Sequence, residues 1–142
     1  MVIVDANILP YAYNEDAAKH AAAKRWLEEQ LAGKGVLGLS WHIIMAFLRI
    51  STHSRIFPIP LGLTEAINTM KEWLDSPKVQ ILSPTQRHWQ IFREVLINGQ
   101  AAGPLVMDAH IAALAIEHDA TIATADKDFS RFDGIKTIYP LT

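Results

Sequence analysis

Short apolar runs alternate with amphipathic stretches along nearly the whole chain. Met1-Val2-Ile3-Val4 is an apolar, β-branched run that stops on Asp5. Val36–Leu39, Val79–Leu82 and Thr121–Thr124 repeat that pattern, and Ile135–Tyr139 gives a last, edge-like run before Pro140. All are of strand length. The segments between them have helical spacing. Asn14 to Leu31 is rich in Ala, Glu, Lys and Leu, with Ala18, Ala21, Ala22, Arg25 and Trp26 marking one side, and Gly33-Lys34-Gly35 ends it. Ser40 is placed to N-cap a helix from Trp41 to about Ser51, which Ile43, Ile44, Phe47, Leu48 and Ile50 make apolar on most sides.

Two further helices are predicted over Thr64–Leu74 (Ala66, Ile67, Met70, Trp73, Leu74) and Gln86–Ile97 (Trp89, Ile91, Phe92, Val95, Leu96), whose aromatics fall at core spacing. Another starts near Pro104 and carries Ile111, Leu114, Ala115 and His118 on one face. Arg55–Pro60 holds two prolines and reads as a loop or extended arm. Strands that alternate with helices predict an α/β fold, a mainly parallel sheet with helices on its faces and the first strand at its centre.

With 142 residues, half of them hydrophobic and no internal repeat, one compact domain spanning 1–142 is the simplest organisation. The chain has no cysteine, which removes disulfides and thiolate metal sites. No run is long enough to span a membrane, and the first run lacks the basic lead of a signal peptide, so a cytoplasmic protein is expected. A formal charge of −2 excludes nucleic-acid binding driven by net charge alone. Any contact with RNA then needs local patches or a metal.

The acids are the candidate chemistry. Asp5, Asp108 and Asp126 lie far apart in sequence, yet each falls beside a predicted strand end or helix start, and Asp128 follows two residues on. In open α/β sheets ligands bind beyond the carboxyl ends of the strands. If these carboxylates converge they form an oxygen-only site suited to Mg²⁺ or Mn²⁺. Asn7 could reach the same ion as Asp5. Arg49 either snorkels to solvent or serves the site, His20 reads as a surface residue, and His110 points about 200° away from Asp108 around the helix. His110 is therefore given a structural or RNA-contact role, and His42 is left out of the site.

Taken together, Asp5-Ala6-Asn7 after a strand, Ser40 opening a helix that continues Phe47-Leu48-Arg49, Asp108-Ala109-His110 leading an Ala-rich helix, and Thr124-Ala125-Asp126-Lys127-Asp128-Phe129 resemble a PIN domain. More narrowly they resemble the VapC toxins of type II toxin–antitoxin pairs, over essentially the full length. The resemblance implies a three-layer α/β/α sandwich around a central, mainly parallel sheet of four to five strands. It also implies a metal-dependent endoribonuclease in which water activated by Mg²⁺, or Mn²⁺ in its place, cuts structured RNA such as tRNA or rRNA. Asp5, Asp108 and Asp126 match the family's metal-binding acids. Asp128 matches an additional acid, and Asn7, Ser40 and Thr124 match supporting polar residues. A VapB-like antitoxin and a homodimer are the implied partners.

One position departs from the pattern. The family's usual helix glutamate falls at Ala46, and Ser40–Ile50 contains no acid. This leaves a catalytically weak RNA-binding or regulatory module as the alternative, and otherwise predicts one well-held metal with Asp128 or a water in part of the missing role. A haloacid-dehalogenase-type phosphatase or a receiver domain fits less well. The phosphatase would want Asp where Asn7 stands, and neither finds its later strand-end Lys.

Overall fold

The computed structural model describes residues 1–142. Five strands form one parallel sheet in the order β3-β2-β1-β4-β5: β1 Val2–Val4, β2 Leu37–Leu39, β3 Val79–Ile81, β4 Thr121–Ala123 and β5 Lys136–Ile138. The most apolar strands take the middle, because an interior strand of a parallel sheet is covered on both faces. Ile3, Val4, Leu37, Leu39, Ile122 and Ala123 are all buried there. β3 and β5 are the two edges, and their outward residues are wet.

Six helices fill the connections: α1 Leu9–Ala12, α2 His20–Ala32, α3 Trp41–Ser51, α4 Leu63–Asp75, α5 His88–Gly99 and α6 Leu105–Glu117. A 3-10 turn over Lys127–Arg131 follows β4. Ser40 caps α3 as the sequence predicts, its Oγ accepting from the Ile43 N–H at 3.2 Å. Gly103 adopts φ +59 ahead of Pro104, a left-handed turn that Gly allows and that delivers the chain into α6. No helix is long and apolar enough to cross a membrane.

Strand order places the site. The chain leaves β1 toward β2 and β3, then returns through α5 and α6 to the other side of β1 as β4. The carboxyl ends of β1 and β4 are thus neighbours at a switch in direction, where a crevice opens in such sheets. Val4 pairs with Ala123, and the Asp5 N–H donates to the Ala123 carbonyl at 2.9 Å, so Asp5 and Thr124 leave the sheet side by side.

Several sequence expectations need correction. The second helix starts at His20, not Asn14. Asn14 is buried, donates through Nδ2 to the Ile59 carbonyl at 2.8 Å and accepts from the Asp16 N–H, an Asx turn that outcompetes the helix. The buried side of α2 is Ala23 and Leu27, while Ala18, Ala21 and Ala22 face water. Trp89 and Ile67 are exposed at 69% and 49%, so core spacing overstated what α5 and α4 bury. The short α1, with Pro10 in its first turn, had no counterpart among the predicted elements.

Candidate active site

Thr124 is the hub of the pocket. It is fully buried, and its Oγ1 donates to Asp5 Oδ2 at 2.7 Å while accepting from Asn7 Nδ2 at 3.3 Å and from the Asp126 N–H at 3.0 Å. Asn7 Oδ1 in turn accepts from the Ala125 N–H, and Asp5 Oδ1 accepts from the Ala6 N–H at 2.7 Å. Two strand ends are thereby locked into one polar network, and the Asp5 carboxylate is held through both oxygens. Thr124→Val should leave Asp5 Oδ2, Asn7 Nδ2 and the Asp126 N–H without their shared partner. We expect a loss of about 2 kcal/mol or more in urea unfolding and a fall of roughly 10–100-fold in Mn²⁺ affinity by calorimetry. An unchanged affinity would mean the network does not position the acids.

Asp108, Asp126 and Asp128 meet in front of this network, with one carboxylate oxygen of each lying within 4.8 Å of the others. Asp108 arrives from the first turn of α6; Asp126 N-caps the 3-10 turn by accepting from the Asp128 N–H at 2.8 Å. Asp5 stands just behind, close enough for its charge to act on Asp108 and to feel Asp126. Sequence reasoning grouped Asp5, Asp108 and Asp126 as the ion's ligands and Asp128 as an extra. The tightest grouping contains Asp128 in place of Asp5.

The cluster is electrostatically frustrated without a counter-charge. Burial, then repulsion from Asp126, Asp5 and Asp128, pushes Asp108 up to about 6, with only Arg131 working the other way. Burial also raises Asp5, against the hydrogen bonds from Thr124 and Ala6. Carboxylates this close ionise together only around a cation, and a donor set of oxygens alone suits a hard divalent ion. The residues present fit such an ion.

The acidic turn is anchored from below. Phe129 is fully buried and packs edge-on against Phe132 at 6.0 Å. Arg131 donates to the Gly99 carbonyl at 3.0 Å, and Gly99 lies so close to Phe132 that a Cβ there would sit 2.6 Å from its ring. This fastens the turn to the end of α5.

The other expected residues divide. Ser40 is buried and occupied with its cap, so it supports the site through α3. Arg49 is exposed and forms no ion pair. It lines a cleft with Asn7, Tyr11 and Phe57. Ala46 is buried in the core, and α3 offers no acid to the cluster.

What α3 does offer is His42, which sequence reasoning left out. Burial lowers its pKa while Asp5 raises it and Arg49 lowers it further, so it sits within the electrostatic reach of the site. The signal for it was available: it follows the end of β2 by the same logic that selected Asp5. His20 is structural as expected, its Nδ1 2.9 Å from the Tyr11 carbonyl oxygen.

A PIN domain family model matches residues 2–135. Ribonuclease VapC37 of Mycobacterium tuberculosis (strain ATCC 25618 / H37Rv) is 41% identical over 140 residues, covering 99% of this chain and 97% of that protein. Ribonuclease VapC33 of the same strain is 36% identical over 141 residues, 99% of each. Among solved structures, VapBC2 from Rickettsia felis bound to a promoter DNA fragment aligns with a TM-score of 0.70 at 17% identity over 97% of this chain and 98% of that one. VapC20 of Mycobacterium tuberculosis, described as a Sarcin-Ricin loop cleaving toxin, aligns with a TM-score of 0.68 at 20% identity over 96% and 99%. At those identities the two structures share the fold with this chain.

Proposed function

This chain belongs to the PIN-domain family, and from that premise we propose that it is a VapC-type endoribonuclease toxin that hydrolyses phosphodiester bonds of structured RNA with a divalent ion, Mg²⁺ or Mn²⁺. The observation that carries the reading is the convergence of Asp108, Asp126 and Asp128, with Asp5 behind them, at the carboxyl ends of β1 and β4. A surface meant only to bind a polyanion gains nothing from gathered carboxylates. That, with full-length relatives named ribonucleases, leaves the inactive-module alternative disfavoured.

Asp108, Asp126 and Asp128 would hold the ion, with Asp5 as a further ligand directly or through water. A bound divalent ion supplies charge neutralisation for the phosphodiester and lowers the pKa of water. Thr124 donates to Asp5 and favours its ionised form, while Asn7 braces Thr124 and the Ala125 N–H. Arg49, unpaired beside Asn7, gives an RNA phosphate a cation to meet outside the acidic pocket. With Ala46 in place of an acid, we assign Asp128 the missing carboxylate's share and expect one tightly held ion. The chain acts as one PIN domain over 1–142, held in check by a VapB-like antitoxin and working as a homodimer.

The test is incubation of the purified chain with total tRNA and rRNA in Mg²⁺, in Mn²⁺ and in EDTA, beside Asp5→Asn. Discrete cuts that need the metal and vanish in the variant are expected. RNA bound but uncut in every metal would return the weight to the inactive module.

The pH dependence follows from Asp108. Its folded value, about 6, lies above the ordinary 3.8, so the folded chain binds that proton more tightly than the unfolded one. Without metal, this stability is fully present below 3.8 and is lost as pH rises through about 6. Screening at this half-exposed group limits the effect to about 1 kcal/mol. The ion needs the deprotonated form, so its stabilisation runs the opposite way. Thermal melts should show a Mn²⁺-induced rise in Tm at about pH 7.5 that fades below about pH 6; a pH-independent rise would contradict Asp108 as a ligand.

A further inference from the structure

Lys127 stands between Asp126 and Asp128 in the acidic turn, yet its ammonium pairs with neither. It lies instead over the ring of Tyr139, 3.8 Å from the centroid. The sheet brings the two residues together. Ala123 pairs with Ile138, and the Thr124 N–H donates to the Ile138 carbonyl at 3.0 Å, so Tyr139 leaves β5 beside the point where β4 delivers the acidic turn. Pro140 favours extended backbone at Tyr139, whose carbonyl accepts from the Thr142 hydroxyl at 2.8 Å. Tyr139 is half-buried, while Lys127 is exposed.

This arrangement leaves both signs of charge available. A ring face attracts an ammonium without neutralising it, and the ammonium has three N–H donors to place. The carboxylate oxygens stay open for a cation. RNA that approaches them meets a field that one divalent ion does not cancel, since its two positive charges face the carboxylates of Asp5, Asp108, Asp126 and Asp128. The phosphate at the ion is matched by it. A neighbouring phosphate on the same strand needs a cation of its own.

We propose that Lys127 binds an RNA backbone phosphate neighbouring the one at the carboxylate site, and that Tyr139 is the positioning residue that holds its ammonium clear of Asp126 and Asp128. The contact rests on the ribonuclease reading and describes how that site grips its substrate. Because it is made to the backbone, it adds affinity without reading sequence.

Binding of total tRNA by filter retention, with Mg²⁺ and in an Asp5→Asn background that should not cut, reads the contact. Lys127→Ala should weaken binding about three- to fivefold, and Lys127→Arg should retain it. Tyr139→Leu should weaken it about two- to fourfold, because the ammonium loses its platform, whereas Tyr139→Phe keeps a ring face and should bind fully. The pair of changes separates positioning from a general structural effect. With Lys127 already replaced by alanine, Tyr139→Leu should add nothing, since two residues that act through one contact are not additive. Mn²⁺ affinity by calorimetry, with all the aspartates in place, should not fall in Lys127→Ala.

Unchanged tRNA affinity in Lys127→Ala overturns the phosphate contact. A fall in Mn²⁺ affinity alongside the loss of RNA overturns it too, because the loss then traces to the turn. Losses that add in the double variant, or a loss in Tyr139→Phe equal to that in Tyr139→Leu, overturn the positioning role. The Lys127 variants decide the contact alone if Tyr139→Leu fails to fold. A wild type that cuts RNA with an indifferent Lys127 sinks the contact and leaves the ribonuclease reading standing; a wild type that neither binds nor cuts RNA sinks both.

Discussion

Asp126→Asn should reduce RNA cleavage on the order of a thousandfold while making the metal-free protein more stable. The loss follows from the several kcal/mol of transition-state charge stabilisation that a held divalent ion provides, at 1.36 kcal/mol per factor of ten. The gain follows from the charges around it. Asp126 raises both Asp108 and Asp5 through repulsion, and the substitution removes that charge from a site with no cation to balance it. The fold itself has little reason to change, because an asparagine Oδ1 still accepts the Asp128 N–H and the backbone N–H at 126 still donates to Thr124 Oγ1. Cleavage assays and thermal melts in EDTA measure the two halves. Retained cleavage would remove Asp126 from the ligand set, and a lower Tm in EDTA would mean that the cluster is not repulsive.

Phe129→Ala carries the largest expected cost in stability, about 3–5 kcal/mol. The ring is fully buried and is among the largest side chains with no solvent contact. Its removal leaves a cavity under the turn that presents Asp126 and Asp128, and Phe132 loses its edge-on neighbour. Against a total stability of roughly 5–15 kcal/mol for an ordinary domain, this is a large fraction. Mn²⁺ affinity should fall with it, since two of the clustered carboxylates ride on that turn. Urea unfolding of Phe129→Ala beside Phe129→Leu separates the causes: the leucine variant should recover most of the stability and the ion. A loss under about 1 kcal/mol in the alanine variant would show that the turn is held by Arg131 and its backbone bonds instead.

These two predictions draw on different layers of information. Phe129 could be read as an apolar residue after an acidic pair, yet nothing local said that it is buried while Trp89 and Ile67, at equally good core spacing, stay exposed. Periodicity records which residues share a face, and only packing decides whether that face is covered. The same limit explains Asn14, where a side-chain bond to a carbonyl 45 residues away ended a helix that composition favoured. The bonds of His88 to Glu117 and His110 were illegible for a related reason. Their partners lie 22 to 29 residues apart or on separate elements, and an isolated histidine carries no mark of its neighbours.

What the sequence determined by itself was the alternation of strand and helix, the central place of β1, the Ser40 cap, and the four aspartates at element ends. Each of these rests on local chemistry: β-branched runs, cap residues, and an acid that an apolar strand does not otherwise end on. What only the tertiary structure decided was which acids gather most closely, with Asp128 joining Asp108 and Asp126 while Asp5 stands behind on Thr124. It also decided that His88 meets both Glu117 and His110. Those are distances between segments far apart in the chain, and such distances are set by strand order and the packing beneath a turn rather than by any spacing along the sequence.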